Sequence, residues 1–171
     1  MRSMDYLGRK EITMVGPPED EIFYFPTVNT DDKKENPLFI TREQVLEFGR
    51  AVASVANKRI KGKTCYNISI YYKGAATKSL VLNASCDIIF IIGHGDIING
   101  KQYIYLKDGP LEINKIKGKE CVPIGCYIGE NKGRTTLHAA LDQLINALYE
   151  LAHNDKCPGK KIRIFSGPLL L

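Results

Sequence analysis

Apolar residues fall along this chain in two rhythms, one strand-like and one helical. The strand-like runs are short: Glu21–Pro26, Cys65–Tyr72, Asp87–Gly93, Glu120–Gly125 and Lys161–Phe165. Each is rich in β-branched or aromatic residues and is stopped by glycine, proline or a polar turn. The run Ile88–Ile92 is apolar at every position, as a central parallel strand covered on both faces should be. The helical rhythm occurs twice. Thr41-Arg42-Glu43-Gln44 forms a capping box, after which Val45, Phe48, Val52 and Val55, joined by Leu46, Gly49 and Ala56, keep one face apolar to about Asn57. Thr136 caps a second helix, in which Leu137, Leu141, Leu144, Ile145, Leu148 and Leu151 share a face to about His153.

The pieces between are less regular. Lys58 and Arg59 suit the negative end of the first helix. Gly74–Asn83 fits either a short helix or the return arm of a hairpin, and a parallel sheet favours the helix. Asn99-Gly100 between two β-rich arms signals a tight hairpin. Residues 1–20 carry little pattern and read as an N-terminal extension. The alternation of strands and helices predicts a single α/β domain over residues 1–171, a three-layer sandwich with a mostly parallel central sheet.

Composition narrows the class. A chain of 171 residues with 44% apolar and 25% charged residues can bury an ordinary globular core. No apolar run approaches the ~20 residues of a membrane helix. The polar start, Met1–Lys10, shows no secretory signal, so the expected setting is the cytoplasm or delivery as an effector. Five cysteines, Cys65, Cys86, Cys121, Cys126 and Cys157, form no C-x-x-C pair. An odd count without framework spacing implies free thiols and a reducing compartment, and their dispersal argues against zinc. No metal or cofactor is expected. The net charge of +5 comes from lysine-rich clusters at 58–63, 115–119 and 160–163. These read as a solvated surface that leaves room for an anionic activator. No interleaved aromatics offer a stacking platform, so nucleic acid is not an expected partner.

The chemistry concentrates at two strand ends. Ile88–Ile92 runs into Gly93-His94-Gly95-Asp96, and Val122–Ile124 runs into Gly125-Cys126. If these strands are neighbours, their ends lie ~5 Å apart and His94 and Cys126 flank one slot. A thiolate is a strong nucleophile and an imidazole the usual proton carrier near neutral pH. Flanking glycines allow sharp turns and close approach. Main-chain N–H groups near Gly95 and Cys126 are candidates for an oxyanion hole. No third member is evident; Asp96 is adjacent in sequence only. The plain alternatives are a histidine that caps a strand and a cysteine that fills the core. His138 and His153 read as helix-surface residues.

At these residues the chain resembles the caspase–hemoglobinase group of cysteine peptidases. In that group an apolar strand ends in His-Gly and the next ends in a small residue followed by Cys. Asp108-Gly109-Pro110-Leu111-Glu112-Ile113 after the hairpin is also similar to the caspase segment between the two. The caspase hallmark of glutamine, alanine, cysteine and glycine is replaced by Gly125-Cys126-Tyr127-Ile128-Gly129. The interval from His94 to Cys126 is also shorter than the ~50 residues of caspases. The pattern is closest to self-processing toxin domains and to the clostripain- and gingipain-like branch.

The resemblance implies a caspase-like fold and a cysteine endopeptidase acting on a peptide or protein substrate, either free-standing or as a domain that processes its own larger chain. Cys126 would be the nucleophile, His94 the general acid and base, and Gly95 N–H an oxyanion donor. The pocket for the side chain before the scissile bond would lie near Thr27 and Gly125. Two alternatives stand beside this. One is an inactive domain of the same fold that binds or regulates. The other is an unrelated α/β protein that holds a phosphorylated ligand at Gly93–Asp96.

Overall fold

The computed structural model describes residues 2–3, 13–15, 42–72 and 76–167. In chain order the elements are β1 (Arg2–Ser3), β2 (Thr13–Val15), α1 (Arg42–Ala56), β3 (Arg59–Ile60), β4 (Lys63–Thr64), β5 (Tyr66–Tyr72), α2 (Lys78–Asn83), β6 (Ile88–Ile92), β7 (Gly95–Ile98), β8 (Lys101–Leu106), β9 (Gly109–Glu112), β10 (Glu120–Ile124), α3 (Leu137–His153) and β11 (Lys160–Ser166). The expected strand at 21–26, the cap at Thr41 and the pocket residue Thr27 lie outside the described residues. Within the expected N-terminal extension the chain forms β1 and β2, and β2 joins the main sheet beside β5.

The protein is α/β with a mostly parallel central sheet. The order is β1-β2-β5-β11-β6-β10, and every neighbouring pair is parallel except β1 with β2. A separate antiparallel meander, β7-β8-β9, follows β6. Its β7–β8 turn is Asn99-Gly100 with φ of 52° and 77°. Both values are positive, as a two-residue turn of the hairpin-favoured hand requires.

β6 shows why an unbroken apolar run was needed. Ile88, Phe90 and Ile92 pack into a cluster with Phe48, Val52 and Val55 of α1 and Leu141, Leu144 and Leu148 of α3. Ile89 and Ile91 point the other way, into a cluster with Val81 of α2, Ile104 and Leu106 of β8, Leu111 of β9 and Phe165 of β11. Strand side chains alternate between faces, so burial on both sides demands apolar residues throughout. Fully burying one such side chain is worth ~1.5–3 kcal/mol. In α1, Leu46 departs from the expected apolar face and is 40% exposed, while Gln44 is buried and donates to His138 O and to Asp142 Oδ1.

Two expectations about charge and thiols are corrected at the N-terminal end of the parallel strands. Lys58 does not serve α1. Its Nζ donates to Leu151 O (3.0 Å), Asn154 O (2.7 Å) and Asn154 Oδ1 (2.6 Å), closing the carbonyl end of α3. Cys65 and Cys157, expected as free thiols, form a disulfide across a sequence separation of 92. The bond joins the residues just ahead of β5 and β11, two paired strands. Cysteine spacing could not reveal it, because the pair meets through the sheet. Cys86, Cys121 and Cys126 are the free thiols.

β10 is the outer strand on its side of the sheet. Glu120 N donates to Asp87 O, and Ile124 O accepts from Gly93 N, so residues 120, 122 and 124 turn their peptide groups to β6. Cys121 and Pro123 therefore face outward. Proline offers no N–H, and the Pro123 carbonyl lies 2.4 Å from where a Cβ on Gly129 would stand. Little of that edge is left for another strand to pair with.

Candidate active site

The site grows directly from the pairing of β6 with β10. Ile124 is in register with Ile92, and Gly93 N donates to Ile124 O at 3.1 Å. Continuing the register places Gly125 beside Gly93 and Cys126 beside His94. Both side chains line one cavity of about 330 Å³, together with Ile92, Gly93, Gly125, Arg134, Thr135, Thr136, Leu137 and Ala140.

The glycines are needed for closeness. Gly93, Gly95 and Gly125 are absent from the residues with positive φ, so the chain does not use glycine's left-handed freedom there. A Cβ on Gly125 would stand 2.4 Å from Gly93 O, and one on Gly95 would stand 2.1 Å from Cys126 O. Only glycine lets the two main chains approach this far. The unusual dihedral falls instead at Tyr127, φ 60°, just after the cysteine. There the chain reverses, and Tyr127 N donates to Gly133 O at 2.9 Å.

His94 is held through its backbone, with its carbonyl accepting from Tyr105 N at 2.8 Å. Its Nε2 is buried and has no hydrogen-bond partner among the described residues. A buried polar atom left unpaired is costly and rare, so it requires an explanation. Asp96 does not supply the missing partner. Its Oδ1 accepts from Ile97 N at 2.8 Å, within β7. Gly95 begins β7. Since His94 O bonds toward β8, the alternation of an antiparallel ladder turns the Gly95 peptide groups away from β8. They face the end of β10, and the Gly95 nitrogen is 3.2 Å from a Cβ placed on Gly125.

Cys126 is half-buried, and its sulfur is held by one residue. Thr135 N donates to Sγ at 3.3 Å, and Sγ donates to Thr135 O at 3.4 Å. The same backbone unit can serve the thiol through its carbonyl and the thiolate through its amide. A second clamp fixes the strand end. Asn131 Nδ2 donates to Gly125 O and to Gln143 Oε1, both at 3.0 Å, and Gln143 Nε2 donates back to Asn131 Oδ1 at 2.7 Å. Gln143 lies on α3, so the helix braces the loop that carries the cysteine. Thr136 begins that helix as expected, its Oγ1 accepting from Ala139 N at 3.0 Å.

The other thiols differ. Burial pushes Cys86 up and pushes Cys121 up to about 11. A thiol raised this way stays protonated and unreactive at neutral pH. His138 and His153 stay outside the cavity. His138 Nε2 lies 3.8 Å from Asp142 Oδ2, and the His153 ring stacks on Tyr149 with centroids 5.6 Å apart.

Sequence reasoning thus named His94, Cys126, Gly95 and Gly125, and the fold brings those four together. It missed Asn131, Arg134, Thr135 and Gln143. The available signal was the capped helix at Thr136: a helix that starts ten residues after a strand-end cysteine has to return across that strand end. Among the described residues, no group of three His, Cys, Asp or Glu side chains is placed to hold a metal ion. No described helix is long and apolar enough to cross a membrane. No family model, curated protein or solved structure matches the chain.

Proposed function

We propose that the protein is a cysteine endopeptidase of caspase-like, three-layer design, acting through Cys126 and His94. The observation that supports this best is that His94, whose Nε2 is buried and partnerless, lines the same cavity as Cys126. A structural histidine would satisfy that nitrogen, whereas a proton carrier keeps it for the reacting group.

In the proposed reaction a peptide enters the cavity with its scissile carbonyl between the two side chains. His94 takes the Cys126 proton, and the thiolate attacks the carbonyl carbon. The carbonyl oxygen gains negative charge and is received by the N–H groups of Gly95 and Cys126, each worth ~10²–10³ in rate. His94 gives its proton to the leaving amine as the C–N bond breaks, leaving a thioester on Cys126. Water, deprotonated by His94, then releases the acid and restores the thiol. In the resting state Thr135 holds the sulfur, so a change of the Cys126 side-chain rotamer precedes attack.

The test is covalent labelling with an uncharged peptide carrying a thiol-reactive electrophile, read by mass spectrometry of the cysteine-bearing fragments. Cys126 is expected to label ahead of Cys86 and Cys121, and His94→Ala is expected to slow it by about 10²-fold or more. Equal labelling of the three free thiols, or labelling indifferent to His94→Ala, would end this proposal.

A further inference from the structure

The meander β7-β8-β9 leaves one edge of β7 without a neighbouring strand among the described residues. Two bonded pairs show which backbone groups stand on that edge. His94 O accepts from Tyr105 N at one end, and the two-residue turn Asn99-Gly100 closes on Ile98 and Lys101 at the other. Bonded and non-bonded pairs alternate along an antiparallel ladder. Asp96 therefore bonds to β8, while Gly95 and Ile97 turn their N–H and C=O outward. The side chains of Ile97 and Ile98 are 48% and 38% exposed. Proteins ordinarily protect an edge with charge, proline or a cover. The β10 edge follows that rule through Pro123 and the close approach of Gly129, whereas β7 presents two isoleucines.

The open edge starts at the candidate oxyanion donor, since Gly95 N stands 3.2 Å from a Cβ placed on Gly125. β10 does not continue along it, because the chain reverses at Tyr127. The Cys126 cavity lies elsewhere. Its lining comes from the ends of β6 and β10 and from residues 134–137 and 140, with no residue of β7, β8 or β9. A peptide that uses both regions divides at His94. The residue before the scissile bond occupies the cavity, and the segment released with the amine, which His94 protonates, has β7 ahead of it.

From this arrangement we infer that β7 receives the leaving side of the substrate as an added parallel strand. This rests on the peptidase reading of the same site. Strand addition recognises main chain first and alternate side chains second. With the scissile oxygen on Gly95 N, the slanted bonds of a parallel ladder fix the rest. Gly95 O accepts from the N–H of the second residue after the cut. Ile97 N donates to the carbonyl of that same residue, replacing its present bond to Asp96 Oδ1. Ile97 O accepts from the N–H of the fourth. The third residue lies opposite Ile97, where a β-branched or aromatic side chain covers the exposed isoleucine.

The test incubates the full chain with a synthetic dodecapeptide library and reads the new ends by mass spectrometry, with His94→Ala as the blank. Val, Ile or Tyr at the third position after the cut should be enriched about two- to fivefold over Gly. Proline at the second or fourth, which lacks the N–H, should be depleted by up to about tenfold. The variant Ile97→Pro removes the outward donor yet spares the ladder to β8, because proline is tolerated on an edge strand. It should lower the ratio of cleavage between peptides with five residues and with one residue after the cut by up to about tenfold. A merely structural injury would slow both lengths alike, and thermal melts establish that the variant folds. His94-dependent cleavage without these positional preferences, or a length ratio unchanged by Ile97→Pro, would overturn this inference alone. If no peptide is cut in a His94-dependent way, the peptidase reading fails and takes this inference with it.

Discussion

The two ends of the parallel strands are secured by opposite means. At their N-terminal end the chain is cross-linked. A disulfide ties Cys65 to Cys157, Lys58 spans three acceptors at the close of α3, and the same ammonium lies 5.6 Å from the Tyr66 ring centroid. At the C-terminal end nothing covalent joins β6, β10 and β11 among the described residues. Side chains are left out so that backbones can meet: Gly95 against Cys126 O, Gly125 against Gly93 O, and Gly167 with its would-be Cβ 2.3 Å from Tyr105 O. The first end resists unfolding through links added to the sheet. The second obtains a close fit by omission, and it alone carries an unpaired buried nitrogen beside a free thiol.

This contrast can be broken from either side. The largest effect should come from the cross-linked end. Replacing Cys65 and Cys157 by Ser removes a long loop closure and should cost ~2–5 kcal/mol, seen as a lower denaturant midpoint. His94-dependent labelling of Cys126 should persist under conditions where the variant stays folded. Loss of that labelling in the folded variant would mean that the two ends are not separable.

A smaller stability cost, with a larger effect on the site, is expected from Gly95→Ala. The added methyl meets Cys126 O and Ile128, and overpacking of this kind costs ~1–3 kcal/mol. Labelling of Cys126 should fall with it. Gly62→Ala in the β3–β4 turn is the matched control. Nothing lies within 4 Å of its Cβ, and its φ of 77° leaves only ~1–2 kcal/mol of backbone strain. Chemical denaturation and labelling rates on the two variants should separate fold from site.

The smallest effect compares a thiol near the start of β10 with one just past its end. Cys121 enters β10 at the far end, with its thiol pushed up to about 11 by burial, while the Cys126 sulfur accepts an amide hydrogen bond. Iodoacetamide should modify Cys121 slowly at pH 7.5, with the rate rising about tenfold per pH unit until pH approaches 11. The stability sign follows. A folded-state pKa raised above the unfolded one favours folding at neutral pH, and that contribution fades as pH climbs from about 9 toward 11. Rapid modification of Cys121 at pH 7.5 would contradict the burial that sets it apart.

The strand-ending motifs were legible because their causes are local. An apolar run stopped by glycine marks β6 and β10, Asn99-Gly100 marks the hairpin turn, and Thr136 marks the start of α3. What stayed hidden has causes distant in sequence. β1 and β2 span two and three residues, too few to show a period. The position of β11 between β5 and β6 is a matter of topology, which residue patterns do not encode. The disulfide follows from that same topology. Asn131, Thr135 and Gln143 act through a loop whose path is set by the helix it joins. Of the two reasons for glycine beside His94 and Cys126, sharp turning and close approach, it is close approach, here of main chain to main chain, that demands Gly95 and Gly125.

β11 is made after every other described strand, yet it lies in the interior of the sheet, bonded along its length to both β5 and β6. During synthesis, β6 and β10 can emerge from the ribosome and pair, but β5 has no interior neighbour to receive it until residues 160–166 are delivered. The nascent chain is then two half-sheets with an open seam. A ribosome-stalled chain that lacks 160–166 should therefore fail to resist protease as the finished molecule does.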